Sequence, residues 1–259
     1  MDNEKRTKFI EKQLISINKI FEIYEKINKL DKSLEQLYPI AIIEDNDFFV
    51  FDLNSSGKQY EYKMNFHSEM NLPNEILAAF PLEGYEWKMA AVVTPKAFDD
   101  IEGIAFIFHE FVHCFQYYHY EMEIKETLTI AKEAKEKHDF MWELNYPFPY
   151  DNEEFIRKTM ELNNGYDIRK YHIEMKAILN DKEFEYMIWQ EWKEGYARYI
   201  ENMIREKIGL KKNNKILKPP FDRVCFYETG SNYINDLIKR DMELKNNLEK
   251  IFFRINKCQ

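Results

Sequence analysis

The sequence predicts a mostly helical α+β protein, with a small N-terminal sheet followed by a helical bundle. Three observations carry that prediction. Apolar residues recur at helical spacing from Lys8 to Leu37, give way to β-branched and aromatic runs before Pro95, and return to helical spacing from Asp99 almost to the end. Of the 259 residues, 45% are hydrophobic and 16% aromatic, enough for one large core or two small ones, so disorder is not expected. No internal repeat or low-complexity segment interrupts this order.

Each element has its own signal. Ile10, Leu14, Ile17, Ile20, Phe21 and Ile27, with lysines and glutamates between them, define one long amphipathic helix over 8–37. The runs "IAIIEDNDFFVFDL" and "QYEYKMNF", separated by "NSSGK", read as a β-hairpin. "KMAAVVT" at 88–94, between Gly84 and Pro95, reads as one further strand. Asp99, Asp100 and Glu102 put negative charge where a helix N-terminus favours it, and Ile104, Phe106, Ile107, Phe111, Val112 and Phe115 carry that helix to Tyr120 or beyond. Pro147 and Pro149 in "NYPFPYDN" forbid a continuous helix. Helices are then expected at 152–163, 167–179, 182–208, 221–240 and 243–255, with Gly165, Gly209 and "KPP" at 218–220 as breaks. The expected organisation is residues 1–98, an N-terminal helix and small sheet, and residues 99–259, a helical subdomain carrying the metal motif, together one compact unit.

Charge and cysteine usage narrow the function classes. With 37 Lys and Arg against 46 Asp and Glu, the net charge of −9 argues against a nucleic-acid partner and against an anionic membrane surface. The N-terminus "MDNEKRTKFIEKQL" has no apolar run of the kind that a signal peptide or spanning helix needs. Cys114, Cys225 and Cys258 are widely spaced without a C-x-x-C, so neither a disulfide framework nor a zinc ribbon is expected. A reducing cytoplasm is the expected location.

The chemistry gathers in "FIFHEFVHCFQYYH" at 106–119. His109 and His113 lie about 40° apart around a helix, one turn from each other, so both imidazoles can reach one ion. Glu110 beside them is placed to take a proton from a metal-activated water without being a ligand. The bland reading is two histidines on an ordinary amphipathic helix, since a chance H-E-x-x-H in such a chain arises on the order of one or two times in a hundred. The helical context, the preceding strand and the gathering of half of the six histidines in this segment favour a metal.

A catalytic zinc usually takes three protein ligands. His119 has the spacing of the metzincin pattern H-E-x-x-H-x-x-G-x-x-H, but Gln116 stands where that pattern has the glycine that lets the chain leave the helix. If the helix continues instead, His119 faces away. The other solution is a glutamate on a later helix, and "WQEWKEGYARYIE" offers Glu194, with Glu191 as a rival. Gly195 and Ala197 are small enough to let this helix approach another closely.

"HEFVH" followed by "EGYARYIE" resembles the gluzincin, peptidase MA-like zinc metallopeptidases, the group that includes thermolysin-like and aminopeptidase N-like enzymes. The resemblance covers the His109 helix, the Glu194 helix and the segment around Tyr227, while the first hundred residues match only in the order of elements. It implies a zincin-like fold with Zn2+ held by His109, His113 and Glu194. It also implies Glu110 as general base and Glu201 as an acid that orients a ligand histidine. "VCFYETGSNYINDL" is similar to the Y-E-x-G segment of aminopeptidase N-like enzymes, which implies that the Tyr227 hydroxyl stabilises an oxyanion. Tyr227 with Ser231, Ile234 and Ile238 fits a core stripe equally well. Nothing matches the amine-binding G-x-M-E-N segment of those enzymes, and "PLEGYEWKM" offers Glu83 and Glu86 in a similar order only.

The expected function is therefore zinc-dependent hydrolysis of peptide bonds in a peptide or protein substrate, with "KMAAVVT" offering a free strand edge to an extended chain. The alternative is a catalytically silent zinc-binding regulatory or interaction module on the same fold. Glu110 argues against it, because metal binding alone needs no carboxylate there.

Overall fold

A computed structural model describes residues 2–68 and 76–258 and shows a mostly helical α+β protein, in which a five-stranded mixed sheet precedes a helical region. The N-terminal helix is not the single rod expected over 8–37. It is divided into α1 (Asn3–Asn18) and α2 (Ile20–Ile27), followed by a single 3-10 turn at Lys32–Leu34. At the break, the Asn18 side chain donates to the Leu14 carbonyl and accepts from the Tyr60 amide, so local polar bonds compete with helix continuation. Asp31 then caps the 3-10 turn through the Ser33 amide.

The expected hairpin is a three-stranded meander. "IAIIEDNDFFVFDL" contains two strands, β1 (Ile40–Glu44) and β2 (Asp47–Leu53), joined by Asp45 and Asn46 at φ of 51° and 62°. Asp and Asn tolerate that left-handed pair, which matches the twist of a two-residue hairpin. β3 (Tyr60–His67) follows. β4 (Leu77–Leu82) was not expected, because Ala78, Ala79 and Pro81 weaken its strand pattern. With β5 (Lys88–Val93) it completes the order β3-β2-β1-β5-β4, in which β1 and β5 are parallel and the other pairs antiparallel.

This order corrects the expected free edge of "KMAAVVT". β5 is an inner strand, and the Ala91 amide donates to the Pro39 carbonyl. The edge strands are β3 and β4. β1 and β5 read as continuous apolar runs because both faces of the sheet are covered. Ala41, Ile43, Val50, Ala90 and Val92 pack together on one face beneath Phe66, Phe80 and Tyr85. On the other, Phe9 of α1 meets Phe49 at 4.7 Å between ring centroids.

The helical region begins with α3 (Ile101–Gln116), which packs on β4 and β5. Asp100 caps it by accepting from the Gly103 amide at 2.8 Å. It passes into a π-helical turn at Tyr117–Glu121 and then into α4 (Met122–Lys125). The remaining helices are α5 (Thr129–Glu136), α6 (Trp142–Asn145), α7 (Glu153–Glu161), α8 (Ile168–Ile178), α9 (Asp181–Lys207), α10 (Cys225–Arg240) and α11 (Leu248–Asn256). Two compact units result, Met1–Tyr117 with Glu201–Lys212, and Tyr118–Ile200 with Asn213–Gln259. None of the described helices is long and apolar enough to cross a membrane.

In the second unit, α9 and α10 meet where both have glycine. A Cβ on Gly195 would lie 2.6 Å from the Gly230 backbone, and one on Gly230 would lie 2.4 Å from the Glu191 carbonyl oxygen. Backbone cannot yield as a flexible side chain can. Gly195→Ala is therefore expected to lower stability by about 1–3 kcal/mol, read as a shifted urea midpoint, and a wild-type midpoint would show that the two helices can separate without loss.

Candidate metal centre

α3 presents twelve buried residues, from Ile104 through Gln116 with Phe106 as the half-buried exception, and both motif histidines are among them. His109 is fixed on two sides. The Phe106 ring stacks on it at 4.8 Å with planes only 7° apart, and its Nδ1 lies 3.1 Å from Glu201 Oε2. Glu201 is fully buried, and its other oxygen lies 3.7 Å from Arg205, which also bonds Glu102 in the first turn of α3. The end of α9 is thus tied to α3 at two places, to its first turn through Arg205 and to the first motif histidine through Glu201.

His113 is fixed by a residue of its own helix. Its Nδ1 lies 2.9 Å from Gln116 Oε1. A carboxylate and an amide oxygen accept, so these two contacts favour the tautomer with the proton on each Nδ1, which directs the Nε2 lone pair elsewhere. The two Nε2 atoms face each other at 3.2 Å. Two lone pairs at that distance repel, and a cation between them removes the repulsion. A tetrahedral zinc with Zn–N bonds of about 2.0–2.1 Å separates two ligand nitrogens by about 3.3 Å. The donor set therefore fits a divalent ion of zinc type.

Glu194 completes the group. His109, His113 and Glu194 are all buried, each offers one ligand atom, and these atoms lie within 4.8 Å of one another. The buried triad is that of an H-E-x-x-H helix with a later glutamate. Glu110 is buried beside His109 on α3, 4% exposed. His119 is exposed on the π-helical turn, since the chain stays helical past Gln116, and it stands outside the triad. Glu191, the rival carboxylate, is taken by His172, with Oε2 2.5 Å from Nε2 and both side chains fully buried. Glu83 and Glu86 lie exposed in the turn between β4 and β5.

The surroundings of Glu194 are cationic and aromatic. Arg223 Nη1 donates to Glu194 Oε1 at 3.1 Å, and its guanidinium lies 5.8 Å from the Tyr227 ring centroid. Arg198 approaches the same ring at 5.4 Å. Burial works against the Arg223 charge, but Tyr227 and Glu194 outweigh it and hold its pKa above the ordinary arginine value. Tyr227 is half-buried, whereas Ser231, Ile234 and Ile238 of the same stripe are buried. Beside Glu194, Lys193 bonds Glu143 at 2.7 Å and Glu121 at 3.3 Å. Burial raises the Glu143 carboxyl, yet Lys193 and Lys125 outweigh it and bring it down to about 2.

Gln116, Arg198 and Arg223 were not singled out from the sequence. Gln116 had a legible signal, three residues after His113 and so on the same helix face. Arg223 had none, because it lies ahead of α10 and meets Glu194 only through the tertiary fold. Comparison with known protein families, curated proteins and solved structures found no match.

The hydrogen bond from His113 to Gln116 should matter to the ion more than to the fold. Gln116→Leu is expected to weaken metal affinity roughly ten- to hundredfold, measured by competition with a chromogenic chelator. Unchanged affinity would remove Gln116 from any role in orienting His113.

Proposed function

We propose that the protein is a zinc-dependent peptidase. The observation that carries this reading is the pair of buried imidazoles whose Nδ1 protons are committed and whose Nε2 atoms face each other at 3.2 Å, with Glu194 completing the ligand set. Zinc held by His109, His113 and Glu194 would supply Lewis acidity toward a scissile carbonyl and would lower the pKa of a bound water toward about 7.

The chain's own residues do the rest. Glu110 accepts the proton of the attacking water on a carboxylate oxygen and returns it to the leaving amine. Its place on the buried face of α3, next to His109 in sequence, is what supports this role. Tyr227 donates its hydroxyl to the oxyanion of the tetrahedral intermediate. The guanidiniums of Arg198 and Arg223 on its ring make that neighbourhood hospitable to negative charge. Glu201 holds the His109 tautomer, and Gln116 that of His113. An extended peptide substrate would pair with the outer edge of β4, the strand that packs on α3 at the rim of the sheet.

Glu110→Gln separates binding from chemistry. It is expected to retain one zinc per chain by elemental analysis while hydrolysis of an unstructured peptide falls at least about a hundredfold. Retained zinc with undiminished cleavage would eliminate Glu110 as the base, and zinc with no cleavage by the wild-type chain would favour a silent binding module. Glu194→Ala should lose the ion and His119→Ala should keep it. The opposite pattern would make the histidine the third ligand.

Tyr227→Phe removes only a hydroxyl. We expect kcat to fall roughly a hundred- to thousandfold at unchanged zinc content and thermal midpoint. A wild-type kcat would return Tyr227 to a packing role.

A further inference from the structure

Glu194 stands between two positive claimants, the ion and Arg223. Among the described residues Glu194 is the carboxylate with which Arg223 pairs, at 3.1 Å. The neighbouring cations are differently engaged. Lys193 is shared between Glu121 and Glu143, and Arg198 donates to the Asn213 carbonyl at 2.7 Å with Glu228 at 3.8 Å. When the charge of Glu194 is drawn by a divalent ion, Arg223 is the cation whose counter-charge is withdrawn.

Its setting suits a ligand better than a structural role. The Arg223 side chain is 31% exposed, whereas Arg198 is 3% exposed. One face lies toward Tyr227, and two more phenols stand close enough to act on its charge, Tyr150 and Tyr186. Tyr186 is itself fixed, its hydroxyl donating to the Glu143 carbonyl at 3.0 Å. A guanidinium beside aromatic rings and partly open to solvent has the planar donor fork that recognises a carboxylate with two parallel hydrogen bonds.

Resting on the peptidase reading above, we propose that Arg223 anchors a substrate carboxylate, so that the enzyme selects peptides with a negative charge close to the bond it cleaves. A C-terminal carboxylate and an Asp or Glu side chain present the same group. Their common chemistry is what the site would read, and the anchor stands one side chain away from the ion through Glu194.

The test uses the zinc-loaded full chain carrying Glu110→Gln, so that peptides bind without being cleaved, and isothermal titration as the readout. Three N-acetylated peptides of one neutral sequence are compared, one ending in a free carboxylate, one in an amide, and one amidated with a single internal Glu. A charge-assisted pair of this kind corresponds to a preference of about ten- to hundredfold for a carboxylate over the neutral amide. The two acidic peptides tell which source of carboxylate is taken. Adding Arg223→Gln should bring the ratio of the affinities close to one, and Arg223→Lys should restore part of it. The ratio is taken within each variant at measured zinc content, so a general loss of fold or metal does not imitate the effect. Equal affinities for all three peptides, or a preference that survives in Arg223→Gln, would overturn the assignment. If the chain with Glu110 intact cleaves the neutral and acidic peptides equally well, the anchor fails and the peptidase reading stands. If it binds zinc but neither binds nor cleaves any of them, both fail.

Discussion

Two imidazole lone pairs held toward each other inside a protein are the constraint on which the rest of the site depends. Left to themselves, His109 and His113 would turn their rings or share a proton. Here each ring is held by an acceptor on its far side, Glu201 for one and Gln116 for the other, and Phe106 fixes the plane of the first. The arrangement concentrates electron density at one point between two Nε2 atoms. That is what a preorganised cation site calls for, because the cost of orienting the candidate ligands is met in folding instead of in binding. The acceptors come from different places in the chain, one turn further along α3 and the far end of α9, so the tautomers depend on the tertiary fold as well as on the motif.

α9 distributes three carboxylates to three partners. Glu191 meets His172, Glu194 meets Arg223 and the motif histidines, and Glu201 meets His109. Glu194 and Glu201 are separated by two helical turns, about 10 Å of rise, so a continuous helix sets the distance between a would-be ligand and the acid that orients another. Glu191 shows why a glutamate one turn away is not interchangeable with Glu194. It is fully buried and already bound to a fully buried histidine, and taking one partner away from a buried hydrogen-bonded pair leaves the other unsatisfied. The close approach of α10 at Gly195 and Gly230 then carries Arg223 and Tyr227, at the start of that helix, toward Glu194.

What the sequence made legible was whatever is local. The α3 helix, the negative charge at its start and the spacing of His109 and His113 are properties of one helix, and they could be read from one short segment. The small pair Gly195 and Ala197 announced a close helix contact, and the structure supplies Gly230 as its counterpart. The misses have physical causes of two kinds. Some local signals were ambiguous, as where Asn18 diverts polar bonds from helix continuation, where Asp45 and Asn46 turn the chain inside an apolar run, and where Ala78, Ala79 and Pro81 make β4 a poor strand by propensity though it is held by pairing with β5. Others were non-local in principle. The inner position of β5 depends on β4, and the pairing of Arg223 with Glu194 links residues that no periodicity relates.

Overall charge illustrates the same division between chain and site. An acidic chain repels phosphate at long range, which bears on nucleic acid and anionic lipid, but it says little about the neighbourhood of one side chain within a screening length of about 8–10 Å. Around Glu194 stand Lys193, Arg198 and Arg223, and around them Glu121, Glu143 and Glu228, so positive and negative groups alternate over a few ångströms. In such a lattice the chemistry is decided by which charge is compensated last. Lys193 and Arg198 have carboxylates committed to them in the protein interior, whereas Arg223 shares its carboxylate with the candidate ion site. A divalent cation entering there would therefore alter the electrostatics of its surroundings chiefly at Arg223.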